Sequence, residues 1–393
     1  MQTHTRLLPV AAIALLAVGG VLAACGGTSA ASLPTGAAPG EPWAGVESSA
    51  RGETVEFWLY GGDQRINAYL DGPVATRLRV LGVTLHRVPI DDTTSAIQRL
   101  VAQHRAGAIK GAIDLVWVNG ANFAAAKAAG LWAPGWAATL PNARLLDPAD
   151  GSLTRDFGIA VDGDEAPWSR AAFVLAYDSA RTARPPATFE ELAAYARAHP
   201  GRVAYPAPPD FTGSAFVRLA VQQLGEERAF ALLRELKPVS FRHGTSYPAN
   251  EAALNQLFGD GQVDFAMSYD PSFVQTAVTS GQFPATARPL LLGDATLVNV
   301  SFVAMPADAP HPDAARVLAN LLLDPDLQAA KADPAVLGIP TVLDPARLTD
   351  AQRSRLTGGA SPYLLATFGK PLNELTASEV PRLDARWKQE VLR

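Results

Sequence analysis

Glycine, small hydroxyl or amide, aromatic and aspartate residues recur together just past the β-rich runs of this 393-residue chain. The run Thr54–Tyr60 ends in Gly61, Gly62 and Asp63, and Ile113–Val118 gives way to Asn119, Gly120, Asn122 and Phe123. Arg202–Tyr205 leads to Asp210, Phe211, Thr212, Gly213 and Ser214. Val263–Tyr269 closes on Tyr269 and passes to Asp270, Ser272 and Phe273, with Ser246 and Tyr247 in a loop upstream. In open α/β sheets, ligands sit beyond the carboxyl ends of strands, where loops and helix N-termini converge. Glycine lets backbone N–H groups approach a ligand, aromatic rings give stacking faces, and aspartate complements a cation. Singly, each residue has an ordinary structural role: Gly61-Gly62 as a turn, Thr212 and Ser272 as N-caps, Phe211 and Phe273 as core. The repeated mixture at four strand ends marks them as candidate binding positions, with Arg65, Arg170, Arg242 and His243 leaving an anion site as the alternative.

Motifs for covalent chemistry are missing. There is no G-x-S-x-G elbow, no G-x-x-x-x-G-K-[ST] phosphate loop and no G-x-G-x-x-G opening a helix. The histidines at 86, 104, 199, 243 and 311 lack ligand-like spacing, and a single cysteine excludes intrachain disulfides and four-cysteine metal sites. Asp162, Asp164 and Glu165 form an acidic cluster whose plainest reading is a solvated loop. No catalytic constellation, metal or cofactor is called for.

The elements that must position these residues alternate. Helical stretches over Arg65–Leu81, Thr93–Ala108 and Asn122–Ala129 separate strands at Thr54–Tyr60, Val83–Ile90 and Ile113–Val118, which predicts a parallel sheet with helices on both sides. Residues 130–165, rich in Pro, Gly and Asp, read as a long connection. Strands follow at Ala171–Tyr177, Arg202–Tyr205, Val263–Tyr269 and Leu297–Met305. Helices are expected at Thr188–His199, Thr212–Leu224, Glu226–Leu236, Asn250–Phe258, Ser272–Ser280, Pro312–Leu323 and Asp326–Ala332. The tail from Leu348 to Arg393 reads as mostly helical, interrupted by Pro362, Pro371 and Pro381.

With 48% hydrophobic and 18% charged residues, disorder is excluded for most of the chain, and its length suits two or three packing units. The net charge of −5 argues against a nucleic-acid-coating surface. Leu7–Ala24 is almost wholly apolar and ends in Leu22-Ala23-Ala24-Cys25, which resembles a bacterial lipoprotein signal with its lipobox. That resemblance implies a signal peptide over 1–24 and lipid on Cys25, anchoring a soluble body to the membrane. Residues 25–52, rich in Gly, Ala, Ser, Pro and Thr, then read as a flexible tether, with no role for Trp43.

Four strings identify a family: Gly62-Asp63-Gln64-Arg65-Ile66-Asn67, Asp114-Leu115-Val116-Trp117-Val118-Asn119-Gly120-Ala121-Asn122-Phe123, Val161-Asp162-Gly163-Asp164-Glu165-Ala166-Pro167-Trp168, and Tyr205-Pro206-Ala207-Pro208-Pro209-Asp210-Phe211-Thr212-Gly213-Ser214-Ala215-Phe216. Over residues 56–305 the chain resembles the extracellular solute-binding proteins of ABC importers, in their YnjB-type subfamily, related to thiamine-binding receptors. The resemblance implies an α/β, two-lobe, type II periplasmic-binding-protein fold with a hinge of two crossing strands. Lobe one is expected over 53–170 plus 298–347, lobe two over 171–297, and a C-terminal helical segment over 348–393. Ser268 and Tyr269 match the end of the thiamine-receptor strand, whereas Tyr247 stands near where those receptors have a tryptophan. No Tyr-Tyr pair of the iron receptors occurs.

The implied function is an extracytoplasmic, lipid-anchored receptor that is not an enzyme. Its expected partners are a small solute, an ABC permease, an ATPase and the membrane, without nucleic acid, and the protein is expected to be monomeric. A cationic, ring-containing solute such as thiamine is expected at Gly62, Asp63, Asn119, Asn122, Phe123, Trp168, Asp210, Phe211, Thr212, Gly213, Ser214, Tyr247, Tyr269, Asp270 and Ser272. Trp168 joins that set because it falls beside the first crossing. The alternatives are a secreted hydrolase using Asp162, Glu165 or Asp210, and a surface lipoprotein that binds another protein.

Overall fold

Strand β1 (Thr54–Tyr60) buries Val55, Phe57 and Leu59 on one face and packs Trp58 against the opposite core, as the two-residue period of a strand covered on both sides requires. The computed structural model describes residues 42–90, 92–107, 110–118, 120–356 and 361–393. Cys25 and Asn119 therefore lie outside the described residues. Ahead of β1, helix α1 (Trp43–Ala50) buries Val46 and Ala50, so residues 43–50, read from composition as the end of the tether, are part of the packed body. Helix α2 (Gln64–Tyr69) starts at Asp63, whose carboxylate accepts the N–H groups of Arg65 and Ile66.

The first lobe continues with β2 (Thr84–Ile90), α3 (Thr93–Arg105), β3 (Leu115–Val118) and α4 (Ala121–Ala128). β2, β1 and β3 are parallel, as the alternating pattern predicts. The connection after α4 is not featureless: it carries short 3-10 turns and a two-residue hairpin, Arg155–Asp156 against Ile159–Ala160. The expected crossing strand Ala171–Tyr177 is two strands, β4 (Glu165–Ala172) and β5 (Val174–Asp178), split at Phe173. The split separates two sheets, since β4 pairs within the first and β5 within the second.

In the second lobe, α5 (Phe189–Ala198) opens on Thr188, which accepts the Glu191 N–H. Arg202–Tyr205 is not a strand; its carbonyls are used singly, Arg202 by Asp264 N–H and Val203 by Phe241 N–H. Helix α6 (Phe211–Leu224) is buried on every side from Thr212 to Ala220. Helices α7 (Glu226–Leu236) and α8 (Glu251–Gly259), strand β6 (Phe265–Ser268), α9 (Phe273–Thr279) and β7 (Ala287–Leu290) complete it. Its sheet, ordered β6-β5-β7, is antiparallel throughout rather than a repeat of the first half.

The chain returns through β8 (Ala295–Ala304), which pairs antiparallel with β3 and β4 and is buried along its whole length. Helices α10 (Pro312–Leu322) and α11 (Pro325–Ala332) cover the first sheet, with α1 packed on α10. The tail holds more than helices: β9 (Lys370–Asn373) pairs parallel with the start of β8, and α12 (Glu379–Trp387) sinks Leu383 and Trp387 into the second lobe's core. Trp387 Nε1 donates to Tyr205 Oη at 3.0 Å. Replacing Trp387 by alanine should cost about 3–5 kcal/mol, read as a lowered urea midpoint with an unchanged slope. An unchanged midpoint would show the tail to be dispensable to that core.

Candidate functional site

The ends of the two lobes meet where the loops after β1 and β6 face each other. Arg65, at the start of α2, donates from Nη1 to Thr276 Oγ1 of α9 at 2.5 Å and from Nη2 to the Pro334 carbonyl at 3.0 Å. Asp270 Oδ1 accepts the N–H and the hydroxyl of Ser272, both at 2.8 Å. Burial pushes its carboxyl up to about 6, and the negative charge of Asp63 in the first lobe pushes the same way, against the pull of the Arg65 guanidinium. Asp63 and Asp270, predicted from two separate strand ends, are thus brought together with Ser272.

Two aromatics near these strand ends are exposed. Tyr60 is 48% exposed and Phe211 is 47% exposed, one from each lobe. The Tyr60 hydroxyl folds onto Gly62, where a Cβ would lie 2.1 Å from it, so only glycine admits the ring there. Phe211 rests on Tyr269 with ring centroids 5.2 Å apart. Tyr269 is only 7% exposed, packs against Phe173 as well, and donates to Glu374 Oε1 at 2.6 Å. It is a wall of the site and a member of the second core at once.

Behind Phe211 lies an ion network that strand-end reading missed. Arg218, seven residues along α6 and on the same face, holds its guanidinium 5.5 Å from the Phe211 ring. It donates from Nε to Glu374 Oε2 at 2.7 Å, from Nη2 to Oε1 at 3.0 Å and from Nη1 to Ser214 Oγ at 2.7 Å. Ser214 in turn donates to Asp384 Oδ1 at 2.6 Å. An arginine inside the apolar run Ala215–Val221 was the available signal for a buried pair; nothing around Glu374 marks it as the partner.

The other predicted residues play local parts. Asp210 caps α6 through the Gly213 N–H, and Thr212 Oγ1 donates to Glu251 Oε2 at 2.6 Å, where burial raises the Glu251 carboxyl to about 7. A Cβ on Gly213 would come within 2.1 Å of the Pro206 carbonyl oxygen, so this glycine seats α6. Asn122 is half-buried on α4, whereas Phe123 is fully buried and stacks on Trp132. Trp168, 1% exposed, packs edge-on to Trp117 in the first core rather than facing the cleft. Tyr247 packs edge-on to Tyr205 and Trp387 in the second. The four basic residues of the anion alternative do not converge: Arg170 is paired with Asp150, Arg65 is taken by Thr276, and Arg242 and His243 sit in an exposed turn.

Two further carboxylates are buried in the first lobe. Asp156 Oδ2 accepts the Gly120 N–H at 2.6 Å while Oδ1 has no partner, and neither oxygen of Glu165 has one. Burial first, then the charge of Asp156, holds the Glu165 carboxyl far above its usual range. Asp162 and Asp164 are instead paired with Lys127, so the carboxylates weighed for acid–base work serve separate local roles. Among the described residues, no group of three or more His, Cys, Asp or Glu side chains could hold a metal ion.

Asp156 gives a pH test. Burial, with the Glu374 charge adding to it, raises its carboxyl to about 7, against about 3.9 in an unfolded chain. The native state therefore holds the extra proton between those values, and stability falls as pH rises through that window. Asp156→Asn should melt at higher temperature than wild type at pH 7.5, with the gain vanishing near pH 4. A gain equal at both values would assign the effect to packing.

Residues 79–354 match the family described as bacterial extracellular solute-binding protein. The protein YnjB of Escherichia coli (strain K12) is 36% identical over 364 residues, 88% of this chain and 92% of that protein. Among solved structures, a periplasmic thiamin binding protein superposes with TM-score 0.60 at 19% identity, over 86% of this chain and 96% of its own. The periplasmic binding protein AfuA of Actinobacillus pleuropneumoniae, solved with fructose-6-phosphate bound, gives TM-score 0.61 at 14% identity, over 86% and 98%. Their fold is the two-lobe one.

Proposed function

The chain belongs to the bacterial extracellular solute-binding protein family, and from that premise we propose that it captures a cationic, ring-containing solute between its lobes for an ABC importer. It is the extracytoplasmic binding component of an ABC transporter, a class of proteins that bind and do not transform their cargo. No helix among the described residues is long and apolar enough to cross a membrane. A lipid on Cys25 would keep the receptor beside its permease; that anchor is proposed from the lipobox string alone.

The observation that carries the solute class is the pairing of exposed aromatics with carboxylates. Tyr60 and Phe211 offer exposed ring faces from opposite lobes, three residues before Asp63 and against the neighbour of Asp270, Tyr269. A cation over an aromatic face is attracted by the ring quadrupole, and the more so where water is excluded. A positive charge between Asp63 and Asp270 adds to the Arg65 guanidinium in offsetting their mutual repulsion, so it favours the closed arrangement over the open one. Thiamine has this chemistry, and the thiamin binding protein shares the fold.

Native mass spectrometry of freshly purified protein should find a retained cationic solute, and adding it to stripped protein should shrink the radius of gyration in solution scattering. Tyr60→Ala and Phe211→Ala should each weaken that binding by roughly tenfold, the worth of a half-desolvated cation–aromatic contact. Both side chains are half in water, so the melting temperature of the stripped protein should hardly move. Binding unaffected by either substitution would place the solute elsewhere.

A further inference from the structure

We infer that Glu374 sets the charge selectivity of the interlobe cleft by occupying the Arg218 guanidinium that a carboxylate- or phosphate-bearing solute would otherwise take. This rests on the receptor reading above and adds which solutes the cleft refuses.

A guanidinium fork binds planar carboxylates and phosphates through paired N–H donors. Arg218 presents such a fork from α6, on the helix face that also carries the exposed ring of Phe211. Phe211, Ser214 and Arg218 are spaced three and four residues apart, so they form one stripe down that face. With the fork empty, that stripe would be an anion site walled by Phe211 and Tyr269, while the Ser214 hydroxyl stays donated to Asp384. Instead Glu374 fills it with two donors, and the Tyr269 hydroxyl closes on the same carboxylate. Arg218 and Glu374 are both withdrawn from water, at 1% and 2% side-chain exposure.

Glu374 directly follows β9 at the edge of the first sheet, at the start of the stretch that runs along the first lobe. Ala377 N–H donates to the Phe157 carbonyl at 3.2 Å, and Thr376 lies against Gly158. The Glu374 carboxylate therefore stands between Arg218 of the second lobe and Asp156 of the first, whose proton affinity it raises. The deeply buried Arg218 cation is thus neutralised by the chain itself. Asp63 and Asp270 remain beside Arg65, two carboxylates against one guanidinium, and set the negative sign there.

The test uses Glu374→Ala and Glu374→Ser, the second leaving a small hydroxyl in place of the carboxylate. Inorganic phosphate is the probe, compared with chloride at equal ionic strength, by thermal melting and calorimetry. Phosphate stabilises most proteins by exclusion, so the wild type sets the baseline. The expected result is phosphate binding at least about tenfold tighter in the variants than in wild type, with a matching extra rise in melting temperature. Adding Arg218→Met to Glu374→Ala should abolish the gain, which a purely structural role for Glu374 would not predict. A variant that does not fold in chloride should recover a cooperative melt in phosphate. Equal response of wild type and variants, survival of the gain without Arg218, or no recovery in phosphate each overturns the inference. An anionic solute retained by the wild type also overturns it while leaving the receptor reading intact. That reading fails on a separate result, the absence of any solute that closes the lobes.

Discussion

A guanidinium taken out of water must be matched by negative charge inside the protein, and much of the cleft follows from how Arg218 meets that demand. Leaving such a charge unpaired costs several kcal/mol, far more than the small net worth of an exposed ion pair. Arg218 draws on Glu374 and, through Ser214, on Asp384, so two points of the C-terminal stretch are fixed to α6. Between those points the chain runs along the first lobe at Phe157. Trp387 and Leu383 then lock α12 into the second core. The tail is thus held at one end by charge and at the other by burial.

That fixation shapes the wall on which a solute would lie. Tyr269 is immobilised because its hydroxyl has a carboxylate to bond and its ring has Phe173 and Phe211 to pack against. Phe211 can then stand half in water on a rigid backing, as a stacking face should: an aromatic pre-held in position loses little entropy when a ligand arrives. In the opposite lobe the absence of a side chain at Gly62 leaves the Tyr60 ring room to lie over it. The cross-lobe bond from Arg65 to Thr276 sets the approach of the two walls. Closure of a two-lobe receptor is a population shift, and each of these contacts weighs on one side of it.

Much of the scaffold was legible beforehand. The apolar run Ile113–Val118 announced a strand buried on both faces, and β3 alternates Leu115 toward one core with Val116 and Val118 toward the other. Thr188 with Glu191 three residues on announced the start of α5, and Asp63 and Asp210 cap helices as local chemistry favours. These readings succeed because capping and strand periodicity act over a few residues. Arg202–Tyr205 failed as a strand because β-propensity without a ladder partner decides nothing. Trp43 went unassigned because its stretch has a tether's composition, while Val46 and Ala50 find a core contributed by α10, more than two hundred residues away.

By itself, the sequence determined the α/β character and the two-lobe family, since each of those is written in short strings. Tertiary structure alone decided what the candidate residues face. It turned Trp168, Phe123 and Tyr247 into core, set Asp63 against Asp270, and brought Glu374 across 156 positions to Arg218. The reason is physical. Burial and electrostatic pairing depend on distance in space, and a carboxylate carries no local mark of the cation it will meet.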